Sequence, residues 1–260
     1  VKLSYEDPLS TFSTNVIGSL NLLNSVNKYN SVKSLVYITS DKCYENLEWE
    51  WGYRENDRLG GSDPYSASKA SAEILFSSYE RSFFLQKDYL GAATARAGNV
   101  IGGGDWAPNR LIPDCIRSIE NNTKLEIRNP KSTRPWQHVL EPLSGYLLLA
   151  YNLYKNPNKI NGSWNFGPSS NDVKEVLEVS KEIFKIIGKG EVKIIDNNNS
   201  FQEANLLQLN CDKASQLLNW QPKWNVSKSL NKTADWYKRY MEGENPRKIS
   251  LEHINEYFEN

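Results

Sequence analysis

The run SLVYITSDK, residues Ser34–Lys42, decides how this chain is read. Ser34–Ser40 is apolar and β-branched with little alternation, as expected of a strand buried on both faces of a parallel sheet. Thr39-Ser40-Asp41-Lys42 stands where that strand ends and a loop begins. In open α/β sheets the carboxyl ends of strands are where ligands bind. A hydroxyl, a carboxylate and an amine in succession offer a hydrogen-bond donor, a proton donor and a proton acceptor. Taken alone, the same run also reads as an ordinary capped, solvated strand end.

Working outward, the flanks read as helices. Leu9–Tyr29 carries Phe12, Val16, Leu20, Leu23 and Val26 at three- and four-residue spacing. Pro64–Phe84 has proline at its start, where a missing N–H does no harm. Between them, residues 41–62 form a long polar and aromatic segment, of a length that is more often functional than decorative. Ala92–Ile101 (AATARAGNVI) is a second strand, closed by Gly102–Gly104. Beyond it the pattern loosens. Asn109–Asn121, Val139–Lys155, Val173–Ile187 (stopped by Gly188), Lys213–Leu218, Val226–Glu242 and the last ten residues read as helices. Leu125–Arg128, Ser163–Phe166, Val192–Ile195 and Leu206–Asn210 read as short strands, with a loop at 196–200. Alternating strands and helices predict an α/β fold around a parallel sheet. The irregular second half predicts a smaller lobe over the carboxyl ends of that sheet. The division is expected at 1–108 and 109–260, with some later segments returning to the sheet.

Composition narrows the function classes. The chain has 260 residues, with 31 Lys+Arg against 31 Asp+Glu, so there is no basic excess to suggest nucleic-acid binding. It is 39% hydrophobic and 12% aromatic, enough for a sizeable core. No run approaches the roughly 18 apolar residues that span a bilayer. The three cysteines, Cys43, Cys115 and Cys211, are odd in number and far apart, which predicts free thiols in a reducing, cytoplasmic setting. The tryptophans, among them Trp49, Trp51, Trp106 and Trp136, are expected mainly to pack, and His138 to be structural.

Tyr65-Ser66-Ala67-Ser68-Lys69 opens the Pro64–Phe84 helix. Positions four apart share a helix face, so Tyr65 and Lys69 project together. An ammonium beside a phenol favours the phenolate and makes the tyrosine a usable base. A YxxxK pattern by itself is weak. Following a strand end that bears Ser40, it has the layout of the extended short-chain dehydrogenase/reductases. Further segments narrow the resemblance: TSDKCYEN (39–46), WGYREND (51–57), DPYSASKA (63–70), RAGNVIGGGDW (96–106), NRLIPD (109–114), IRNP (127–130), TRPWQHVLEPLSGYL (133–147) and WNFGP (164–168). Together they resemble the CDP-glucose 4,6-dehydratase family along essentially the whole chain.

The resemblance implies a Rossmann-like, doubly wound parallel sheet with a smaller nucleotide-sugar-binding lobe. It implies an NAD-dependent hydro-lyase that oxidises CDP-glucose at C4, eliminates water across C5 and C6, and returns hydride to C6. Tyr65 would take the C4 hydroxyl proton, with Lys69 keeping the phenol ionised and Ser40 bonding O4. Asp41 would protonate the departing C6 hydroxyl, which needs a carboxyl kept protonated by its surroundings. Lys42 stands where dTDP-glucose dehydratases carry the C5 base, and would act as that base or as an electrostatic stabiliser. Substrate contacts are implied at Asn99, Asn109, Ile127, Arg128, Arg134 and Glu203, with Arg134 suited to a pyrophosphate. Gln202 replaces a histidine common in the family. Cofactor contacts are implied at Ser40, Tyr65, Lys69, Asn15 and Arg96, and no metal is implied. A homodimer built on a bundle containing the YxxxK helix is also implied.

The GxxGxxG turn of the family is missing from the sequence, as Gly102–Gly104 lies after YxxxK. The expectation from this is a fragment without the first nucleotide-binding half, with poor NAD binding and a bare sheet edge. Two alternatives stay open at this stage. One is an epimerase or reductase of the same branch acting on another nucleotide sugar. The other is a nucleotide-sugar-binding protein without catalysis.

Overall fold

A computed structural model of the chain describes residues 1–157, 159–169, 172–195 and 206–259. It divides into two compact units. The first is Val1–Gly98, Leu143–Gly167 and Leu207–Gln221; the second is Asn99–Pro142, Pro168–Leu206 and Pro222–Asn260.

The first unit is built on three parallel strands, Ser34–Ile38, Gly91–Arg96 and Gly162–Asn165, with Gly91–Arg96 in the middle. Its register pairs Ser34 with Gly91 and Ile38 with Ala95 on one side, and Ala93 with Gly162 and Arg96 with Asn165 on the other. The middle strand is the sequence GAATAR, and every residue in it is buried. Small residues are required there. A side chain on Gly91 would collide with the backbone of Leu153 on the helix that covers the sheet. Alternate residues face opposite sides. Ala92 joins Leu23, Val26, Phe76 and Phe84 in a core under the helices Gly18–Lys28 and Pro64–Ser82. Ala93 and Ala95 join Leu149, Leu153, Trp164 and Phe166 in a core on the other face. Polar Thr94 and Arg96 alternate with these alanines and lie on the side of Ala92.

Three expectations for this unit change. The N-terminal helix begins earlier, as Lys2–Glu6 and Pro8–Phe12, and continues through a wider turn at Ser13–Ile17 into Gly18–Lys28. Pro8 restarts it, and the Asp7 carboxylate accepts from the Ser10 N–H at 2.9 Å. The strand expected over Ala92–Ile101 is two strands, Gly91–Arg96 and Val100–Ile101. The break has a local cause, since Asn99 adopts the left-handed φ of 51°. Leu206–Asn210 forms no extended strand but a single bridge, Tyr53 to Leu209.

Among its described residues, the second unit carries three two-stranded ladders. Val100–Ile101 pairs with Gln137–His138 and Leu125–Ile127 with Val192–Ile194, both parallel, while Thr133–Pro135 pairs antiparallel with Val173–Glu175. Its helices Leu111–Glu120, Val176–Ile187, Val226–Met241 and Pro246–Glu259 enclose a core that includes Ile116, Val179, Ile183, Leu230, Ala234 and Ile249. The helix expected over Val173–Ile187 starts at Val176, because its first three residues pair as a strand. Its end is as read, with Gly188 in the left-handed conformation. The loop expected at 196–200 lies outside the described residues. No helix among the described residues is long and apolar enough to cross a membrane.

Candidate active site

The end of the Ser34–Ile38 strand is shaped by its own side chains. Thr39 N–H still donates to the middle strand, at Ala95 O, 2.9 Å. Ser40 then caps a short turn, Asp41–Cys43, its Oγ accepting from the Lys42 N–H at 3.3 Å. The same hydroxyl donates to Asp41 Oδ1 at 2.9 Å. Asp41 is 3% exposed, Ser40 is buried and Lys42 is half-buried. A side chain on Gly98 would occupy the place of the Asp41 carboxylate.

The second component is the Pro64–Ser82 helix. Its start is set by Asp63, whose Oδ1 accepts from the Ser66 N–H at 3.0 Å, and by Pro64 in the first position. Tyr65 and Lys69, both half-buried, follow on one face, with Lys69 Nζ 5.9 Å from the Tyr65 ring centroid. Burial pushes the Lys69 amine below its ordinary range, against the opposing fields of Cys43 and Glu73. The Asp41–Cys43 turn packs directly on this helix. Ser40, Asp41, Lys42, Tyr65 and Lys69 therefore belong to one assembly within the first unit.

Two further residues singled out for the cofactor lie in this unit. Asn15 Nδ2 donates to Ser68 Oγ at 2.9 Å, tying the N-terminal helix to the YSASK turn. Arg96 is placed differently from the expectation. It is 2% exposed, and its guanidinium donates to Glu73 at 2.6 Å, Tyr44 Oη at 2.7 Å, Ser163 Oγ at 2.8 Å and Glu55 O at 3.0 Å. It serves an internal network instead of facing a ligand. Burial alone would raise the Glu73 carboxyl, but the hydrogen bonds and charge of Arg96, with Thr39 and Thr94, hold it below its usual value.

In the second unit, Asn99 takes its left-handed turn with Nδ2 buried and unpartnered among the described residues. Asn109 is also left-handed, with φ 60°, and exposed. Ile127 is a core side chain, which leaves Arg128 as the exposed member of that pair. Arg134 is half-buried, its Nη1 donating to Thr133 O at 2.8 Å. Glu203 lies outside the described residues. His138 is buried 4.9 Å from the Trp224 ring, with Nδ1 accepting from the Leu140 N–H at 3.3 Å. Burial lowers its pKa to about 3. Trp136 is buried, and Trp49 and Trp106, though partly exposed, pack against Tyr53 and against Tyr237 and Tyr240, whereas Trp51 is exposed. The cysteines are free.

Two residues went unread in the sequence. Glu73 continues the Tyr65–Lys69 stripe by one more step of four, a spacing that was legible. Tyr146 is half-buried, packed against the core around Phe166, and its phenol is pushed up by burial and by the negative field of Asp41. It comes from a helix remote in sequence, and no local pattern marks it.

The comparisons with known proteins agree with this architecture. The profile of the GDP-mannose 4,6 dehydratase family matches residues 1–233. A CDP-glucose 4,6-dehydratase of Salmonella typhimurium is 48% identical over 99% of this chain and 73% of its own length. The crystal structure of a dTDP-glucose 4,6-dehydratase from Bacillus anthracis, in complex with NAD, is 26% identical and superposes with a TM-score of 0.75. That similarity covers 90% of this chain and 71% of the other. A UDP-N-acetylglucosamine 4-epimerase from Methanobrevibacter ruminantium has the same fold, with a TM-score of 0.77 at 21% identity over 93% of this chain and 74% of that one. With its family profile matched through most of its length and its strand-end turn packed on a YxxxK helix, the chain belongs to the GDP-mannose 4,6 dehydratase family of nucleotide-sugar enzymes.

Proposed function

We propose that this chain is a hydro-lyase that converts CDP-glucose to CDP-4-keto-6-deoxyglucose. The observation that carries the reading is the packing, in one unit, of the Ser40-Asp41-Lys42 turn on the helix bearing Tyr65 and Lys69. The 48% identity to a protein named for this reaction supports the choice of nucleotide.

Bound NAD would supply a hydride acceptor for C4 and a hydride donor for C6, leaving loss of one water as the net change. One residue suits the ribose of that cofactor, while the GxxGxxG turn for its pyrophosphate is missing from this sequence. Lys69 presents a half-buried ammonium that makes no hydrogen bond among the described residues, a donor set matched to the hydroxyls of a ribose.

The chain's own groups divide the proton chemistry. Tyr65 Oη receives the proton of the sugar C4 hydroxyl, and Lys69 lowers the cost of the phenolate. Ser40 Oγ, already a donor to Asp41, can redirect its proton to the same sugar oxygen. Ketone formation at C4 makes the C5 proton acidic. Lys42 stands next in line after Asp41, as the base for that proton or as a cation beside the enolate. Asp41 delivers a proton to the departing C6 hydroxyl. In the second unit, Arg134 offers a guanidinium suited to a pyrophosphate, and Asn99, Asn109 and Arg128 are further candidate contacts for a nucleotide sugar. A homodimer through the helices that include Leu9 and Ile74 is part of the same reading. Leu9 is 83% exposed and Ile74 59%.

Mass spectrometry tests the proposal. The chain, alone and joined to a GxxGxxG nucleotide-binding half, is incubated with NAD and, in parallel, CDP-, UDP-, GDP- and dTDP-glucose. Loss of one water from CDP-glucose is the expected result where that half is present. An unchanged mass with a new sugar epimer would replace the reading with epimerisation. Nucleotide-sugar binding without product would replace it with a binding protein.

A further inference from the structure

A buried ion pair joins the helix that carries Tyr65 and Lys69 to the middle strand of the first sheet. Tyr65, Lys69 and Glu73 are spaced by four and share a stripe of that helix. Glu73 is 2% exposed, and both its carboxylate oxygens are engaged. One accepts from Thr39 Oγ1. The other accepts from Thr94 Oγ1 at 2.9 Å, Arg96 Nη2 at 2.6 Å and Ser163 Oγ at 3.2 Å. Those four partners lie in, or directly follow, the three strands of the first sheet. Thr39 is bonded in sequence to Ser40. A single carboxylate thus joins the helix bearing the base to the strand end bearing Ser40 and Asp41.

Arg96 extends the junction. Its Nη1 reaches Tyr44 Oη and Glu55 O in the segment that follows the Asp41–Cys43 turn. Tyr44 in turn donates to Asn165 Oδ1 at 2.8 Å. Apolar side chains of similar volume would fill this space without a desolvation penalty. Charge-assisted hydrogen bonds differ from apolar packing in being short and directional. They set a separation where apolar packing would tolerate sliding.

We propose that Glu73 and Arg96 are positioning residues: their buried pair clamps the catalytic helix to the strand ends and so fixes Tyr65 and Lys69 relative to Ser40 and Asp41. This rests on the reading of Tyr65 as base and Lys69 as its electrostatic partner. Neither Glu73 nor Arg96 touches the reacting atoms.

The test follows the Tyr65 phenol and turnover together. The phenol is isolated as the ultraviolet titration difference between each background and the same background with Tyr65→Phe. The groups facing the helix at Lys69 are Cys43 on the adjoining turn and Glu73 itself. The main variant is Glu73→Met with Arg96→Met, which removes both charges and leaves neither unpaired. Thr39→Val is the second, losing only the bond to the Ser40 strand while keeping the ion pair. Both variants are expected to shift the Tyr65 phenol titration, by roughly one pH unit in the double variant, because the placement of the phenol against Ser40 and Asp41 changes. kcat for CDP-glucose is expected to fall by up to about a hundredfold, as for a small misplacement of reacting groups, with KM little changed. If the double variant does not fold, Thr39→Val decides. A folded variant with the wild-type phenol titration and wild-type kcat would overturn the clamp. If the wild-type Tyr65 itself titrates as an ordinary phenol and no nucleotide sugar is dehydrated, the underlying reading of Tyr65 and Lys69 fails instead.

Discussion

The Asp41 carboxylate fills the space that a side chain on Gly98 would need. Asp41 sits in the turn after one strand and Gly98 just past the end of its neighbour. The absence of one Cβ therefore sets where a buried carboxylate rests. Gly98→Ala is expected to lower dehydration of CDP-glucose by about a hundredfold, because Asp41 must move. The overpacking should cost about 1–3 kcal/mol of stability. Turnover and urea unfolding check the two parts separately. Full activity in the Gly98→Ala variant would show that the Asp41 position is not critical.

Tyr65→Phe removes one oxygen from a half-buried ring and leaves the helix start at Asp63 and Pro64 intact. Turnover should fall by about 10²–10⁴, with circular dichroism and thermal midpoint close to those of the parent chain. Loss of folding with loss of activity would make Tyr65 a packing residue.

His138 links pH to stability in the second unit. Burial depresses its folded pKa to about 3, against about 6.5 for an unfolded histidine. Between those values the unfolded chain binds a proton that the folded chain does not. Stability is therefore lost as pH falls below about 6.5 and continues to fall toward 3, by on the order of several kcal/mol. His253, depressed by burial, adds in the same direction. His138→Phe should flatten the dependence, measured as urea midpoints at pH 7.5 and 4.5. An unchanged slope would assign the acid sensitivity elsewhere.

Phe76 and Ile74 separate core from surface on a single helix. Phe76 is 1% exposed, stacked 6.2 Å from Tyr37 and edge-on to Phe84 at 6.3 Å. Phe76→Ala should cost about 3–5 kcal/mol in denaturant unfolding. Ile74→Asp should leave the fold intact and shift the chain toward monomer in sedimentation, since a charge there would have to be buried in the proposed dimer. A monomeric parent chain would remove the dimer from the reading.

Local pattern made much of the architecture legible in the sequence. Apolar periodicity located the helix that holds Leu23 and Val26, and β-branched runs located the strand at Ser34. The four-residue spacing of Tyr65 and Lys69, and the strand-end position of Ser40-Asp41-Lys42, are properties of neighbours in sequence. Those contacts follow from short-range geometry, so they could be read directly. The single strand expected over Ala92–Ile101 failed because its interruption depends on a left-handed Asn99, which strand propensity does not register. The early strand at Val173–Glu175 was hidden for a similar reason: its partner, Thr133–Pro135, lies about forty residues upstream. Arg96 shows the limit most clearly. Its place in the motif suggested a ligand contact, but the alternation of a fully buried strand turns it toward Glu73, Tyr44 and Ser163. Local spacing in the sequence set most of the individual helices and strands and singled out the candidate site residues. Tertiary structure alone decided which buried charges pair and which carboxylate rests against a glycine, because those contacts exist only when distant segments are packed together.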